Sequence, residues 1–286
     1  MKLSTRMRRI GVLTVGLILA TAAVLRYSDS LTAQNRQPEA EKADGSPQHY
    51  RNPKSWNIHD YDRPRPRQIT PGAESTQDKP GTPPSDAIVL FDGTSLDGWQ
   101  KADGSPVGWK ITDGRLTVVP DAGDIQTKQT FGDSQLHVEW MANPDITHTD
   151  QSRSNSGVFF GDLYEVQVLD NHTNPTYADG TVGALYGHYP PLVNASRPGG
   201  VWQMYDIIYR APRFDDAGKL LRPARFTVLL NGVVVQDAAE PVGPTTWRRR
   251  PAYQPHGDLP VKLQDHGNNE MWFRNIWIRP LDPETY

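Results

Sequence analysis

Phe226-Thr227-Val228-Leu229-Leu230-Asn231-Gly232-Val233-Val234-Val235 decides the fold. Two β-rich runs flank an Asn-Gly pair, the dipeptide that best tolerates the two positive φ angles of a tight hairpin. Working outward, the pattern repeats. Trp109-Lys110-Ile111 stops at Asp113-Gly114, and Arg115-Leu116-Thr117-Val118-Val119 follows. From Gln135 to Met141, Leu136, Val138 and Trp140 alternate with His137 and Glu139, as one buried face of a strand requires. Further strand-like runs start at Ala87, Gly157, Tyr164, Met204 and Met271, and no window after Asp86 carries a helical stripe. Many short strands at regular spacing predict an all-β fold, a two-sheet antiparallel jelly-roll sandwich of about 200 residues.

The jelly-roll domain is expected over 86–286. Ahead of it, 26–85 reads as a Pro-rich polar tether, with Glu39 to Gln48 and Pro71 to Pro84 as flexible stretches. Tyr50, Trp56, Ile58 and Tyr61 punctuate His49 to Thr70, so that piece is expected to be an extended strap lying on the domain. Residues 1–25 have a basic start (Lys2, Arg6, Arg8, Arg9) and an apolar run from Ile10 to Leu25. These are the parts of an export signal, with Ala20-Thr21-Ala22 or Thr32-Ala33 as cleavage sites. The run is shorter than the roughly 20 residues of a membrane span; an uncleaved N-terminal anchor is the other reading. The expected location is therefore the periplasm or cell envelope, with membrane contact only through that segment.

The absence of cysteine excludes a thiolate nucleophile, a Cys-based zinc site and disulfides. A net charge of -3 offers no field for nucleic acid. Arg248-Arg249-Arg250, in a Pro-rich loop, reads as a solvated edge. No phosphate loop, dinucleotide fingerprint, nucleophile elbow or His-Glu-x-x-His motif is present.

What remains is polar groups on strands and strand ends. In Tyr164-Glu165-Val166-Gln167-Val168-Leu169-Asp170, Glu165 and Gln167 share one face, and Asp170 stands where the strand ends. Gln264-Asp265-His266-Gly267-Asn268 is a second cluster, following another strand. Carboxylates and amides suit sugar hydroxyl pairs, and aromatic rings cover pyranose faces. We therefore take Glu165, Asp170 and His266 as candidate catalytic residues. Glu139, Arg153, Asn155, Gln167, Tyr186, Trp202, Gln264, Asp265 and Arg274 are candidate substrate contacts. Trp140, Tyr186, Trp202 and Trp272 could be stacking platforms or core aromatics. Arg153 and Arg274 could fork onto ligand oxygens or pair with a carboxylate. Asp265-His266 could be a polarised base, a metal pair or a turn, so a divalent cation is left open; no other cofactor is indicated.

Several of these segments also resemble a known family. Leu90-Phe91-Asp92-Gly93-Thr94-Ser95-Leu96-Asp97-Gly98-Trp99 is similar to the opening signature of the 3-keto-disaccharide hydrolases. The likeness continues through Leu136 to Trp140, Asn155 to Phe159, Tyr164 to Asp170, Val193 to Pro198, Trp202 to Ile208, Leu263 to Asn268 and Phe273 to Trp277, spanning nearly all of 86–282. The resemblance implies a concanavalin A-like jelly roll acting on sugars whose C3 hydroxyl has become a ketone. Such a ketone acidifies the C2 proton. A base can then remove it, the oxygen at C1 leaves, and water adds back, a redox-assisted route outside two-carboxylate glycosidase chemistry. An exported 3-keto-glycoside-cleaving enzyme is the first reading, and a non-catalytic carbohydrate-binding module the second. An endoglucanase on the same fold would show Glu-x-Asp-x-x-Glu where this strand has Glu-x-Gln-x-x-Asp.

Overall fold

The computed structural model describes residues 54–267 and 271–281. Residues 1–25, read above as an export signal, and Asn268 lie outside them. Among the described residues no helix is long and apolar enough to cross a membrane; two single 3-10 turns, Asp150–Ser152 and Ala178–Gly180, are the helical content.

The strands in chain order are β1 (Ile88–Phe91), β2 (Trp99–Gln100), β3 (Lys110–Thr112), β4 (Arg115–Thr117), β5 (Ile125–Phe131), β6 (Ser134–Ala142), β7 (Ser156–Phe160) and β8 (Tyr164–Val168). There follow β9 (Gln203–Arg210), β10 (Arg213–Phe214), β11 (Leu220–Arg222), β12 (Arg225–Leu230), β13 (Val233–Ala239), β14 (Leu259–Leu263) and β15 (Met271–Pro280). A large sheet has the order β13-β12-β9-β6-β15-β4-β3, with β1 also on β15. A five-stranded sheet has the order β2-β5-β14-β7-β8, and β10 and β11 pair by themselves. The pairings are antiparallel, so the fold is the two-sheet jelly roll read from the sequence.

Both hairpin readings hold. Asn231 and Gly232 have φ of 53° and 80°, and Asp113 and Gly114 have 51° and 71°. Two successive positive φ angles twist the connection in the sense of the flanking strands. The core lies between the sheets. Leu136, Val138 and Trp140 of β6 and Tyr205, Ile207 and Tyr209 of β9 meet Tyr164, Val166 and Val168 of β8 in one fully buried cluster. Trp140 is thus a core aromatic, not a stacking platform.

The described residues fall into two units, 54–66 and 67 onward. In the first, the described part departs from the extended strap expected over 49–70. Asp60 N–H bonds Asn57 O at 3.3 Å, Arg63 N–H bonds Asp60 O at 3.3 Å, and His59 has a φ of 61°, so 54–63 is a run of turns. The second unit starts earlier than the strand pattern suggested. Residues 71–84, read above as flexible, form an arm fixed to the outer face of the large sheet.

The arm is clasped by ion pairs. Arg274 donates from Nε to Glu139 Oε2 (2.6 Å) and from its terminal nitrogens to the carbonyls of Thr76 (2.5 Å) and Gln77 (3.3 Å). Gln77 exchanges two hydrogen bonds with the backbone of Trp202 (2.7 and 3.0 Å), and the Trp202 ring lies 4.2 Å beneath the Arg274 guanidinium. Asn275, at a φ of 46° in a register break of β15, turns its amide onto Glu139 Oε1 (2.6 Å), which also accepts from Ser75 Oγ. His137 stacks on Trp277 with centroids 4.9 Å apart and bridges Glu139 (3.4 Å) and Asp206 (2.8 Å). Burial pulls the His137 pKa down, but hydrogen bonds to Asp206 and Glu139 outweigh it and hold it up at about 9. Burial pushes Glu139 up, yet bonds from His137, Ser75, Asn275 and Arg274 bring it down to about 2.

The clasp should therefore be firmest at mildly acid pH. The His137 contribution is complete below its ordinary 6.5 and is lost as pH rises through about 9. The Glu139 contribution is complete above 4.5 and is lost as pH falls through about 2. Glu139→Gln strands two buried cations and is expected to cost about 3–5 kcal/mol of unfolding free energy in urea titration. An unchanged midpoint would show that the clasp does not hold the arm.

Candidate active site

The second outer face, that of the five-stranded sheet, is built differently. Its strands alternate, so residues pointing away from the core line up across the sheet in rows. Glu165 of β8 stands opposite Phe159 of β7, which stands opposite Lys262 of β14. One row along, Gln167 stands opposite Gly157, whose carbonyl accepts from the backbone N–H of Gln264 (3.1 Å). Loops carrying Gln151, Tyr177, Tyr186 and Thr245-Thr246-Trp247 wall this face into a cleft of about 620 Å³, with Gln264 and His266 at the end of β14.

Gly157 makes the floor possible. A Cβ there would sit 2.4 Å from the Phe159 ring and 2.6 Å from Glu165 Oε1, so the glycine leaves the hollow that the Glu165 carboxyl occupies. The amides beside it form a chain. Gln167 Nε2 donates to Asn155 Oδ1 (3.0 Å), and Asn155 Nδ2 donates to the Gln151 carbonyl (2.7 Å) and Oε1 (3.1 Å). Gln151 in turn donates to Thr176 Oγ1 (2.8 Å) and the Gly180 carbonyl (3.0 Å). This chain fixes which end of Gln167 is the donor and leaves its carbonyl oxygen as the acceptor.

Glu165 is 6% exposed, and the hydrogen bonds that hold it run through its backbone, to Thr245 Oγ1 (3.0 Å) and Tyr186 N–H (3.2 Å). Burial pushes its carboxyl up to about 8, against the charge of Lys262 and with that of Asp124. Lys262 cannot neutralise it, because it already bonds Asp124 (3.0 Å) and Asp162 (2.6 Å) while lying 4.2 Å over the Phe159 ring. Burial alone would lower the Lys262 pKa, and those two carboxylates raise it. Tyr186 and Tyr177 meet hydroxyl to hydroxyl at 2.7 Å on the cleft wall, and burial raises both phenols. At neutral pH the cleft thus holds a protonated carboxylic acid beside fixed amides and two phenols.

The sequence candidates separate accordingly. Glu165, Gln167, Asn155, Tyr186, Gln264 and His266 line one cleft. Asp170 does not. It is buried and receives Arg153 Nε at 2.8 Å, so these two form a structural pair beside the strand end. Asp265 turns away as well, accepting from the backbone N–H groups of Gly123 (2.8 Å) and Gly267 (3.1 Å), which is the turn reading. Glu139, Arg274 and Trp202 belong to the arm clasp, and Glu139 lies on a different sheet from Glu165, so these three candidates do not contact this cleft. Trp272 carries Arg115 at 5.3 Å on the large sheet. Among the described residues no three His, Asp or Glu side chains gather as a metal-holding group.

Sequence reasoning missed Gln151, Phe159, Tyr177, Thr245, Thr246, Trp247 and Lys262. Lys262 had a signal, since a charged residue between Val261 and Leu263 breaks an apolar strand as Glu165 does. The others come from loops whose return over the sheet has no local mark.

A 3-keto-alpha-glucoside-1,2-lyase-like domain model matches residues 86–279, and the chain belongs to that family. A provisionally assigned glycosyl hydrolase from Parabacteroides distasonis is 45% identical, with a TM-score of 0.73 over 76% of this chain and 93% of that one. A second such structure from the same organism is 24% identical, with a TM-score of 0.51 over 68% of this chain and 99% of the other; it shares the fold. No curated protein sequence matches the chain.

Buried, with no hydrogen-bond partner on its carboxyl among the described residues, Glu165 destabilises the fold once it ionises. Its folded pKa is raised, so stability is fully present below about 4.5 and is lost as pH rises through about 8. Glu165→Gln is expected to melt higher than the parent protein at pH 9 and near it at pH 5. A lower melting temperature at pH 9 would mean that the ionised carboxylate is well solvated.

Proposed function

We propose that this protein is an exported glycoside-cleaving enzyme, a hydrolase in overall reaction, acting on sugars oxidised to a ketone at C3. The observation that carries the reading is Glu165, a carboxyl still protonated at neutral pH, set among donors and acceptors shaped for a polyhydroxylated ring. An acid of that pKa can protonate a leaving alkoxide at physiological pH, where an ordinary glutamate cannot. The family likeness and the 45%-identical structure, provisionally assigned as a glycosyl hydrolase, support carbohydrate cleavage as the general activity.

In the mechanism we assign, the amide chain of Gln167, Asn155 and Gln151 orients ring hydroxyls. Gln264 donates to the C3 carbonyl oxygen, on which charge grows as the C2 proton leaves. His266 takes that proton. The C2–H electrons form the C1=C2 double bond, and the C1–O bond breaks onto the aglycone oxygen, which receives the Glu165 proton. Water then adds across the double bond. Glu165, now a carboxylate, accepts a proton from the water attacking C1, and His266, whose acquired proton has exchanged with solvent in the meantime, delivers a proton to C2. Both groups end as they began, and the net change is addition of one water across the glycosidic bond.

Matched aryl glucosides, native and 3-keto, test this directly. Aglycone should be released from the 3-keto compound alone. Glu165→Gln should lower kcat by roughly 10²–10⁴-fold, and the parent rate should fall as pH rises through about 8 as the acid loses its proton. Equal cleavage of both glucosides would overturn the elimination route. Tight binding of both with cleavage of neither would make the protein a carbohydrate-binding module.

A further inference from the structure

The Glu165 cleft shares a wall with an annex. Tyr177, Tyr186, Thr246 and Trp247 also line a second hollow of about 550 Å³, whose far wall is Arg248, Arg249 and Arg250. The arginine triplet that reads as a solvated edge in the sequence therefore faces a cavity that shares Tyr177, Tyr186, Thr246 and Trp247 with the wall of the candidate active site.

The annex is unbalanced in charge. Asp179 is the acidic residue on its wall against three guanidinium groups. None of the three arginines is held in an ion pair or a side-chain hydrogen bond among the described residues. Several other arginines of the second unit are engaged: Arg274 on Glu139, Arg153 on Asp170, Arg213 on Asp133 and Arg279 on Asp86. Trp247, 64% exposed, has Arg248 stacked 4.6 Å from its ring centre. The Tyr177–Tyr186 pair bounds both hollows. An aromatic face, an apolar edge and unspent guanidinium forks suit a ring that bears an anionic oxygen group.

We propose that this annex is the leaving-group subsite and that it selects aglycones carrying a carboxylate or an oxyanion such as sulfate. The inference rests on the cleavage reading above, since it places the sugar at Glu165 and the departing group on the arginine side of it. The aglycone ring lies against Trp247, and its anionic group is gripped by Arg248–Arg250.

Binding tests the subsite apart from cleavage. Full-length Glu165→Gln protein is titrated calorimetrically with 4-carboxyphenyl, 4-sulfophenyl and neutral 4-carbamoylphenyl 3-keto-glucosides. At low salt at least one anionic ligand should bind about tenfold tighter than the neutral isostere, and the gap should shrink with added NaCl. Comparing the carboxylate with the sulfonate tells a planar from a tetrahedral anion. Adding Arg248→Gln, Arg249→Gln and Arg250→Gln together should bring the ratio to about one. Arg249→Gln alone, should the triple variant not fold, should remove part of the gap. Equal affinities for charged and neutral ligands, or a preference that survives the triple substitution, would overturn the proposal. An anionic preference without turnover by the parent enzyme would leave the subsite standing and sink the elimination mechanism; turnover without the preference would do the reverse.

Discussion

A strand can send only every second side chain to one side, and β8 is buried on both. Tyr164, Val166 and Val168 fill the core, which obliges Glu165 and Gln167 to enter the opposite space. That space is closed over by loops, so the carboxyl of Glu165 is removed from water without being given a cation of its own. Desolvation then does what no neighbouring charge reverses, and the group stays protonated near neutrality. Register across β7 and β14 completes the arrangement. It sets Gly157 beneath the carboxyl and ties Lys262 to two aspartates instead of to Glu165.

The two outer faces use similar residues for different ends. On the large sheet Glu139 is surrounded by donors, Arg274, Asn275, Ser75 and His137, and its pKa falls to about 2. On the small sheet Glu165 has none on its carboxyl among the described residues, and its pKa rises to about 8. Satisfied charge of the first kind fastens an arm to a sheet. The second kind is a standing cost to stability, and it is intelligible where a proton must be delivered.

Much of the architecture was legible in the chain. Asn231-Gly232 and Asp113-Gly114 mark their hairpins because the dipeptides themselves tolerate the required φ angles. Glu165 and Gln167 were legible because polar residues at every second position of an apolar strand carry their own periodicity. His266 and Gln264 were legible as a polar cluster at a strand end. Asp170, Arg153, Glu139 and Arg274 were misplaced for one shared reason. Their roles are set by ion pairs across the chain, and alternation says which face a residue takes but not which sheet owns the strand. The arm over 71–84 has the composition of a linker, and its anchoring residues lie on β6 and β15, far along the chain.

The central claim is that cleavage passes through removal of the C2 proton and reprotonation of C2 from a group in exchange with solvent. It is tested most directly by carrying out the reaction on an aryl 3-keto-glucoside in deuterated water and examining the released sugar by NMR. The account predicts one deuterium at C2 of the product and a primary isotope effect when the C2 position of the substrate is deuterated beforehand. Release of the aglycone with the original C2 hydrogen wholly retained would contradict it and return the reaction to direct displacement at C1.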